Sequence, residues 1–298
     1  MTDRFGVRQA DAARLLALSA IWGASFIFIR VLAPVLGPVL TVTTRVLIGG
    51  AVLIVYCRVI DLDAGLARHW RQYALIGVTN STLPFMLFAF AALHLPASYS
   101  VILNAMTPLF TALLAVPLLG ERLTAAKIAG LVVGVAGVAL VSGAGPVVPD
   151  LWFALAVAAC LGATLCYAGS SIYMKRYASG VKPLALAGWS QIFAGLALAP
   201  AVPFAPPPGS ITPLIVANVL ALAVVCSSAA YALYYRLIAD IGPTRALMIA
   251  FLMPVFGMLW GALFLGETIT LPMIAGCGLV IGGATIVLRP TGVRPSRL

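Results

Sequence analysis

Residues 97–124 read ASYSVILNAMTPLFTALLAVPLLGERLT, and residues 243–270 read PTRALMIAFLMPVFGMLWGALFLGETIT. Laid over one another at an offset of 146 positions, Pro108 falls on Pro254, Phe110 on Phe256, Gly120-Glu121 on Gly266-Glu267 and Thr124 on Thr270. The register extends without a gap from 93–141 onto 239–287 and matches at 12 of 49 positions, Gly130 with Gly276 and Gly137 with Gly283 among them. Apolar stretches match by accident at Leu, Ile, Ala and Val, so the weight rests on the Pro, the Gly-Glu pair and the Thr. One position off that register, Trp22 to Arg30 lies over Tyr167 to Lys175, with Ser25 over Ser170. The chain reads as two copies of one unit.

Composition says what kind of unit. The 298 residues are 62% hydrophobic and 9% charged, with mean hydropathy +1.10; a soluble globule carries about 25% charged residues. That excludes a soluble enzyme. A membrane-spanning helix takes about 20 largely apolar residues, and apolar runs bounded by Gly, Pro or charge fall at about 12–33, 38–59, 72–94, 97–119, 124–143, 150–173, 183–204, 213–238, 244–265 and 271–289. None has the alternating, roughly ten-residue pattern of a membrane β-barrel. The expected fold is an all-α membrane protein of ten transmembrane helices. Residues 11–143 hold the first five and 150–289 the second five, with 144–149 as a Gly- and Pro-rich linker. An odd number of spans per copy inserts the second copy upside down, giving two inverted five-helix repeats, the layout of secondary transporters.

Charge supplies the orientation. The net charge is +10, from 18 Lys and Arg against 8 Asp and Glu, and the positives stand one to three at a time in short gaps between apolar runs. No basic run interleaved with aromatics occurs, so nucleic acid is not an expected partner. With the N-terminus inside, the cytoplasmic face takes Arg4, Arg8, Arg14, Arg58, Arg68, Arg71, Arg122, Lys127, Lys175, Arg176, Lys182, Arg236, Arg245, Arg289, Arg294 and Arg297, which is 16 of the 18. Only Arg30 falls outside and only Arg45 within a span. Under the positive-inside rule both termini are cytoplasmic. Arg30 closes the first apolar run and no small-residue cleavage site follows, so that run reads as an uncleaved span. The cysteines, Cys57, Cys160, Cys166, Cys226 and Cys277, all lie in apolar runs and are expected as free thiols.

The five-plus-five layout, the Leu119-Gly120-Glu121 and Leu265-Gly266-Glu267 junctions and the stretch Ala97 to Thr124 resemble the drug/metabolite transporter superfamily, specifically its EamA-type exporters, over essentially the whole chain. Within it the sequence is most similar to the YddG-type aromatic amino acid exporters. The resemblance implies a multi-pass exporter of small metabolites in a bacterial inner membrane.

Arg45 stands about seven residues, or about 10 Å, inside the nearer end of the second span, where an unpaired charge is costly. It is a candidate anchor for a substrate carboxylate or a structural Arg bonded to helix carbonyls; its repeat partner is Gln191. All eight acids, Asp3, Asp11, Asp61, Asp63, Glu121, Asp150, Asp240 and Glu267, map to termini, loops or helix junctions. Coupled carriers place acidic or His relays in the membrane, so facilitated diffusion or exchange is expected, with coupling through some other group as the alternative. Glu121 and Glu267 are expected to cap helix junctions. His69 and His94 pair with no nucleophile and sit at no metal-ligand spacing; no catalytic residue, metal or cofactor is expected.

Pro84, Pro108 and Pro254 fall inside spans, where proline removes a backbone hydrogen bond. They are candidate hinges or static bends. Ala129, Gly130, Gly134 and Gly137, with Gly278 and Gly282, have small-residue spacing for close helix packing. Cavity candidates are Trp22 and Ser25, Asn80 and Ser81, Tyr99 and Asn104, Tyr167 and Ser171, and the i, i+4, i+8 stripe Ser227, Tyr231, Tyr235. With Arg45 they are the expected substrate-binding residues, in a largely uncharged cavity for neutral or zwitterionic solutes. The leading expectation is alternating-access export of amino acids, aromatic or other neutral, by a monomer. The alternatives are a multidrug or quaternary-cation exporter, which would be expected to hold a membrane-embedded acid, and an intramembrane enzyme, for which the catalytic groups are missing.

Overall fold

Nine helices among the described residues are long and apolar enough to cross a membrane: α1 Gln9–Val59, α2 Leu66–His94, α3 Ala97–Leu119, α4 Ala125–Gly143, α5 Leu151–Tyr177, α6 Pro183–Phe204, α7 Pro213–Ile241, α8 Met248–Leu265 and α9 Leu271–Leu288. The computed structural model describes residues 9–144, 147 and 150–288, and no strand occurs among them. Arg4, Arg8, Arg289, Arg294 and Arg297, Asp3 and most of the expected linker 144–149 lie outside the described residues.

The first two expected spans form one run. At 51 residues and about 1.5 Å each, α1 is more than twice as long as the apolar thickness of a bilayer. It is divided at Gly37, whose φ of 74° and ψ of 158° are not helical and favour a residue without Cβ. The arms 9–36 and 38–59 are each long enough to span, so the expected connection between them contracts to a single glycine. A second difference lies at α2, which starts at Leu66 rather than near 72. Arg68, His69 and Arg71, expected in a loop, ride on its first turns.

Helix ends follow local chemistry. Asp150 caps α5 by accepting from the Phe153 amide at 2.7 Å, and Thr212 caps α7 by accepting from Ile215. Gly120 and Gly266 end α3 and α8 in the left-handed conformation, at φ 67° and 64°. The next amides, of Glu121 and Glu267, reach back to Ala115 O at 3.2 Å and Gly261 O at 3.1 Å. The repeated Gly-Glu is therefore a helix-stop signal in which glycine supplies the conformation and the following N–H satisfies an orphan carbonyl.

The three span prolines sit in three different settings. Pro84 follows a π-helical turn, Val78–Thr82, and occupies the first turn of the α-helical piece Leu83–His94. Pro108 opens the piece Thr107–Leu119 after a break at Ala105–Met106, whereas α8 continues as helix through Pro254. The repeat-related Pro108 and Pro254 thus lie on a broken and an unbroken helix.

Helices α4 and α9 approach backbone to backbone at their glycines, with Val141, Val280 and Val287 packed alongside. A Cβ on Gly130 would stand 2.6 Å from Gly283 O, one on Gly137 2.6 Å from Gly276 O, and one on Gly276 2.7 Å from Gly137 O. The 146-residue offset turns Gly130 into Gly276 and Gly137 into Gly283, so this contact maps onto itself when the halves are exchanged, as an interface on a two-fold axis does. Gly278 and Gly282, expected to pack, instead face open space.

Candidate functional site

The second arm of α1 carries Arg45 into the bundle, where the residue is 6% exposed. Its Nε–H donates to Ser227 Oγ at 3.1 Å, and its guanidinium carbon lies 3.8 Å from the centre of the Phe85 ring. Tyr167, Cys226 and Tyr231 are close enough to interact with it electrostatically. Helices α1, α2, α5 and α7 therefore meet at this one side chain. No carboxylate among the described residues pairs with Arg45, and its two terminal nitrogens bond to no described protein group. Four N–H donors in a planar fork remain for a ligand.

Local structure explains how Ser227 reaches the arginine. The middle of α7, Ala221–Ala229, is a π-helix, and both hydroxyls in it bond carbonyls five residues back, Ser227 to Leu222 O at 3.2 Å and Ser228 to Ala223 O at 3.1 Å. Ser228 also reaches Gly49 O at 2.8 Å. Shifting the π turn Val78–Thr82 of α2 by 146 lands on 224–228, inside the π-helix of α7. In the first half Thr82, the equivalent of Ser228, makes a similar bond, to Ala194 O at 3.3 Å, one residue before the equivalent of Gly49. Each half thus presents a widened turn to the repeat-equivalent helix of the other, and such turns are frequent at functional sites. In α2, Pro84 supplies a missing amide; no proline follows the π segment of α7, where the serine hydroxyls bond the widened turn instead.

Aromatic side chains surround the polar group. Trp22 meets Tyr231 edge-on at 6.0 Å and Tyr234 at 5.2 Å, and Tyr231 stacks on Tyr235 at 6.2 Å. Tyr167 stacks on Phe88 at 6.2 Å. The Asn80 side chain lies close to the Tyr231 hydroxyl. The structure therefore brings together Trp22, Arg45, Asn80, Tyr167, Ser227, Tyr231 and Tyr235. Ser81, the repeat partner of Ser227, is buried in the π turn of α2.

Other expected residues are engaged elsewhere. Ser25 and Ser171 bond carbonyls of their own helices, at Trp22 O and Tyr167 O. Tyr99 is fully buried and meets Phe153 edge-on at 6.0 Å. Asn104 ends the first piece of α3; its backbone carbonyl accepts from Thr107, and its side-chain Oδ1 is buried without a hydrogen-bond partner. Five residues at the site were not anticipated there: Phe85, Phe88, Gln191, Cys226 and Tyr234. Only Gln191 carried a signal, its equivalence to Arg45.

The acids stand at the bundle's ends. Arg14 joins Asp11 at 3.0 Å and Asp240 at 2.6 Å. Glu267 accepts from the Ala97 and Ser98 amides at 2.6 and 3.0 Å, so it caps α3 rather than the helix that follows it. Beside it a cavity of about 350 Å³ is lined by Arg30, Pro34, Pro96, Leu265 and Glu267. Glu121, its repeat partner, pairs with Lys127 at 2.9 Å. Among the described residues no group of His, Cys, Asp or Glu could hold a metal, and the five cysteines are free.

Comparison with known proteins supplies the family. The EamA-like transporter family matches this chain twice, over 12–143 and 154–289. The chain is 26% identical to the probable terminal-alkyne amino-acid exporter of Streptantibioticus cattleyicolor, covering 96% of each protein. It is 25% identical to the uncharacterized transporter YvbV of Bacillus subtilis, over 94% of this chain and 92% of that one. To protein PecM of Dickeya dadantii it is 26% identical, over 90% and 88%. A crystal structure at 20% identity shares the fold, with a TM-score of 0.66 over 94% of this chain and 96% of that one. Two matches that together span most of the sequence place this multi-pass membrane protein in the EamA-like transporter family.

Proposed function

We propose that the protein exports small carboxylate-bearing metabolites, amino acids with neutral side chains foremost, by alternating access between two inverted five-helix repeats. Counted with the two arms of α1 taken separately, the spans number ten in this reading; the charge distribution supports cytoplasmic termini, and the bacterial relatives support an inner-membrane location. The observation that carries the substrate class is Arg45: a buried guanidinium with a free fork and no acid beside it suits a carboxylate, and the aromatic rings around it suit an apolar side chain. A cation exporter is disfavoured by the same charge, since a cationic solute would meet Arg45 without a compensating carboxylate. The likeness to a relative named as a probable amino-acid exporter points the same way. With no acidic relay among the described residues in the middle of the apolar helices, transport runs down the substrate gradient or by exchange.

Purified protein in liposomes tests this reading. Radiolabelled neutral amino acids should exchange across the bilayer with no imposed proton or sodium gradient, and a substrate panel in counterflow will rank them. Strict dependence on either ion gradient would remove the facilitator mechanism, and no flux of any amino acid would remove the substrate class.

A further inference from the structure

Gln191 is the position that the 146-residue offset assigns to Arg45, and it is 1% exposed. Its Nε2–H donates to Ala187 O at 3.3 Å, which turns the amide oxygen away from its own helix, α6, toward α1. That oxygen, Oε1, is buried and has no hydrogen-bond partner. It lies 2.9 Å from the point where a Cβ on Gly49 would stand, and the Ser227 Cβ lies 3.1 Å from the same point. Gly49 is one helical turn from Arg45, and Ser227 is the residue that holds the Arg45 Nε–H. A donor-only cation and an orphaned acceptor thus flank the same serine, at repeat-equivalent positions.

We propose that Gln191 Oε1 accepts the ammonium N–H of the solute whose carboxylate Arg45 binds, so that the pair selects α-amino acids over carboxylates that lack the amine. The inference rests on the amino-acid reading above and deepens it. Its physical basis is complementarity. A buried carbonyl left unpaired is costly, and a donor arriving with the ligand removes that cost only when the ligand has one. An α-amino acid presents its acceptor and donor groups on adjacent carbons, as two neighbouring groups of opposite hydrogen-bonding character require. Charge alone would favour a plain carboxylate beside Arg45; the orphaned acceptor reverses that preference.

The test is competition binding to the detergent-solubilised full chain, comparing phenylalanine with 3-phenylpropanoate and leucine with 4-methylpentanoate. In the unaltered protein each amino acid should bind about ten- to a hundredfold tighter than its deaminated partner, the range expected for one hydrogen bond to a charged group. Gln191→Met, similar in shape and without an acceptor, should bring that ratio to one or below while the deaminated acids still bind, which also shows that the variant is folded. Gln191→Glu should keep the ratio or raise it. Equal loss for both ligand classes in Gln191→Met would make Gln191 a packing residue and overturn the proposal. So would tight binding of the deaminated acids by the unaltered protein, or a Gln191→Glu variant that no longer discriminates. Absence of amino-acid binding in the unaltered protein would instead refute the amino-acid reading on which the proposal stands.

Discussion

Replacing Arg45 by Gln should make the empty protein more stable and the loaded one less so. Taking a guanidinium out of water costs several kcal/mol even after relaxation, and a buried charge regains this only through its partners. Here the partners are few. The charge-assisted bond to Ser227 at 3.1 Å returns about 1.5–3 kcal/mol, and the Phe85 face at 3.8 Å about 2 kcal/mol. The terminal nitrogens return nothing until a ligand arrives, so removing the charge should stabilise the empty chain by about 1–2 kcal/mol, or a rise in Tm of about 2–5 °C. Ser227 keeps a partner in Leu222 O, so the variant leaves no new orphan there. On the ligand side, two charge-assisted bonds to a carboxylate are lost, about 3 kcal/mol and so roughly a hundredfold in affinity. Thermal unfolding in detergent, with and without saturating amino acid, reads both effects in one experiment. The ligand should raise the Tm of the unaltered protein and leave that of Arg45→Gln in place. Arg45→Lys should not restore binding, because a point charge cannot form the fork. A Tm that falls by several degrees with unaltered affinity would refute the reasoning and make Arg45 a structural strut between α1 and α7.

Two further perturbations test the frame. Gly137→Leu puts a side chain where a Cβ already stands 2.6 Å from Gly276 O; prying α4 from α9 should cost about 1–3 kcal/mol, seen as a lower Tm, whereas Gly278→Leu, which faces open space, should leave it unchanged. Glu267→Gln removes the charge that holds the Ala97 and Ser98 amides and should free that end of α3. A cysteine introduced as Ser98→Cys, at a position with no exposure, should then react with a polar maleimide about tenfold faster or more, corresponding to a loss of at least about 1.4 kcal/mol; an unchanged rate would mean that Glu267 does not hold this end shut.

Much of the architecture is legible in the sequence because a bilayer leaves few options. Backbone polar groups must be satisfied within the segment, so a long apolar run is a helix, and the nine helices fall within a few residues of the expected runs except at α1, which joins two of them, and at α2, which starts earlier. The junction Gly-Glu could be read as a helix end because its physics is local: glycine takes the left-handed conformation, and the next amide closes the turn. Where the outcome depended on which helix lies opposite, sequence periodicity was silent. Gly130 and Gly137 pack whereas Gly278 and Gly282 do not, since only the crossing of α4 with α9 selects which glycine meets a backbone. Tyr99 and Tyr231 look alike in sequence, yet one is sealed against Phe153 and the other faces Arg45.

The sequence by itself determined an all-helical membrane chain, its duplication at an offset of 146 residues, and the scarcity of charge that leaves one arginine in the apolar spans. Tertiary structure alone decided what that arginine meets. Ser227 lies 182 residues away, and it is a π-helical turn, invisible in hydropathy, that sets its hydroxyl facing Arg45. Gln191 enters for the same reason: pairing across the two halves brings equivalent positions to one serine, and contact between them depends on helix crossing and register rather than on the composition of either segment.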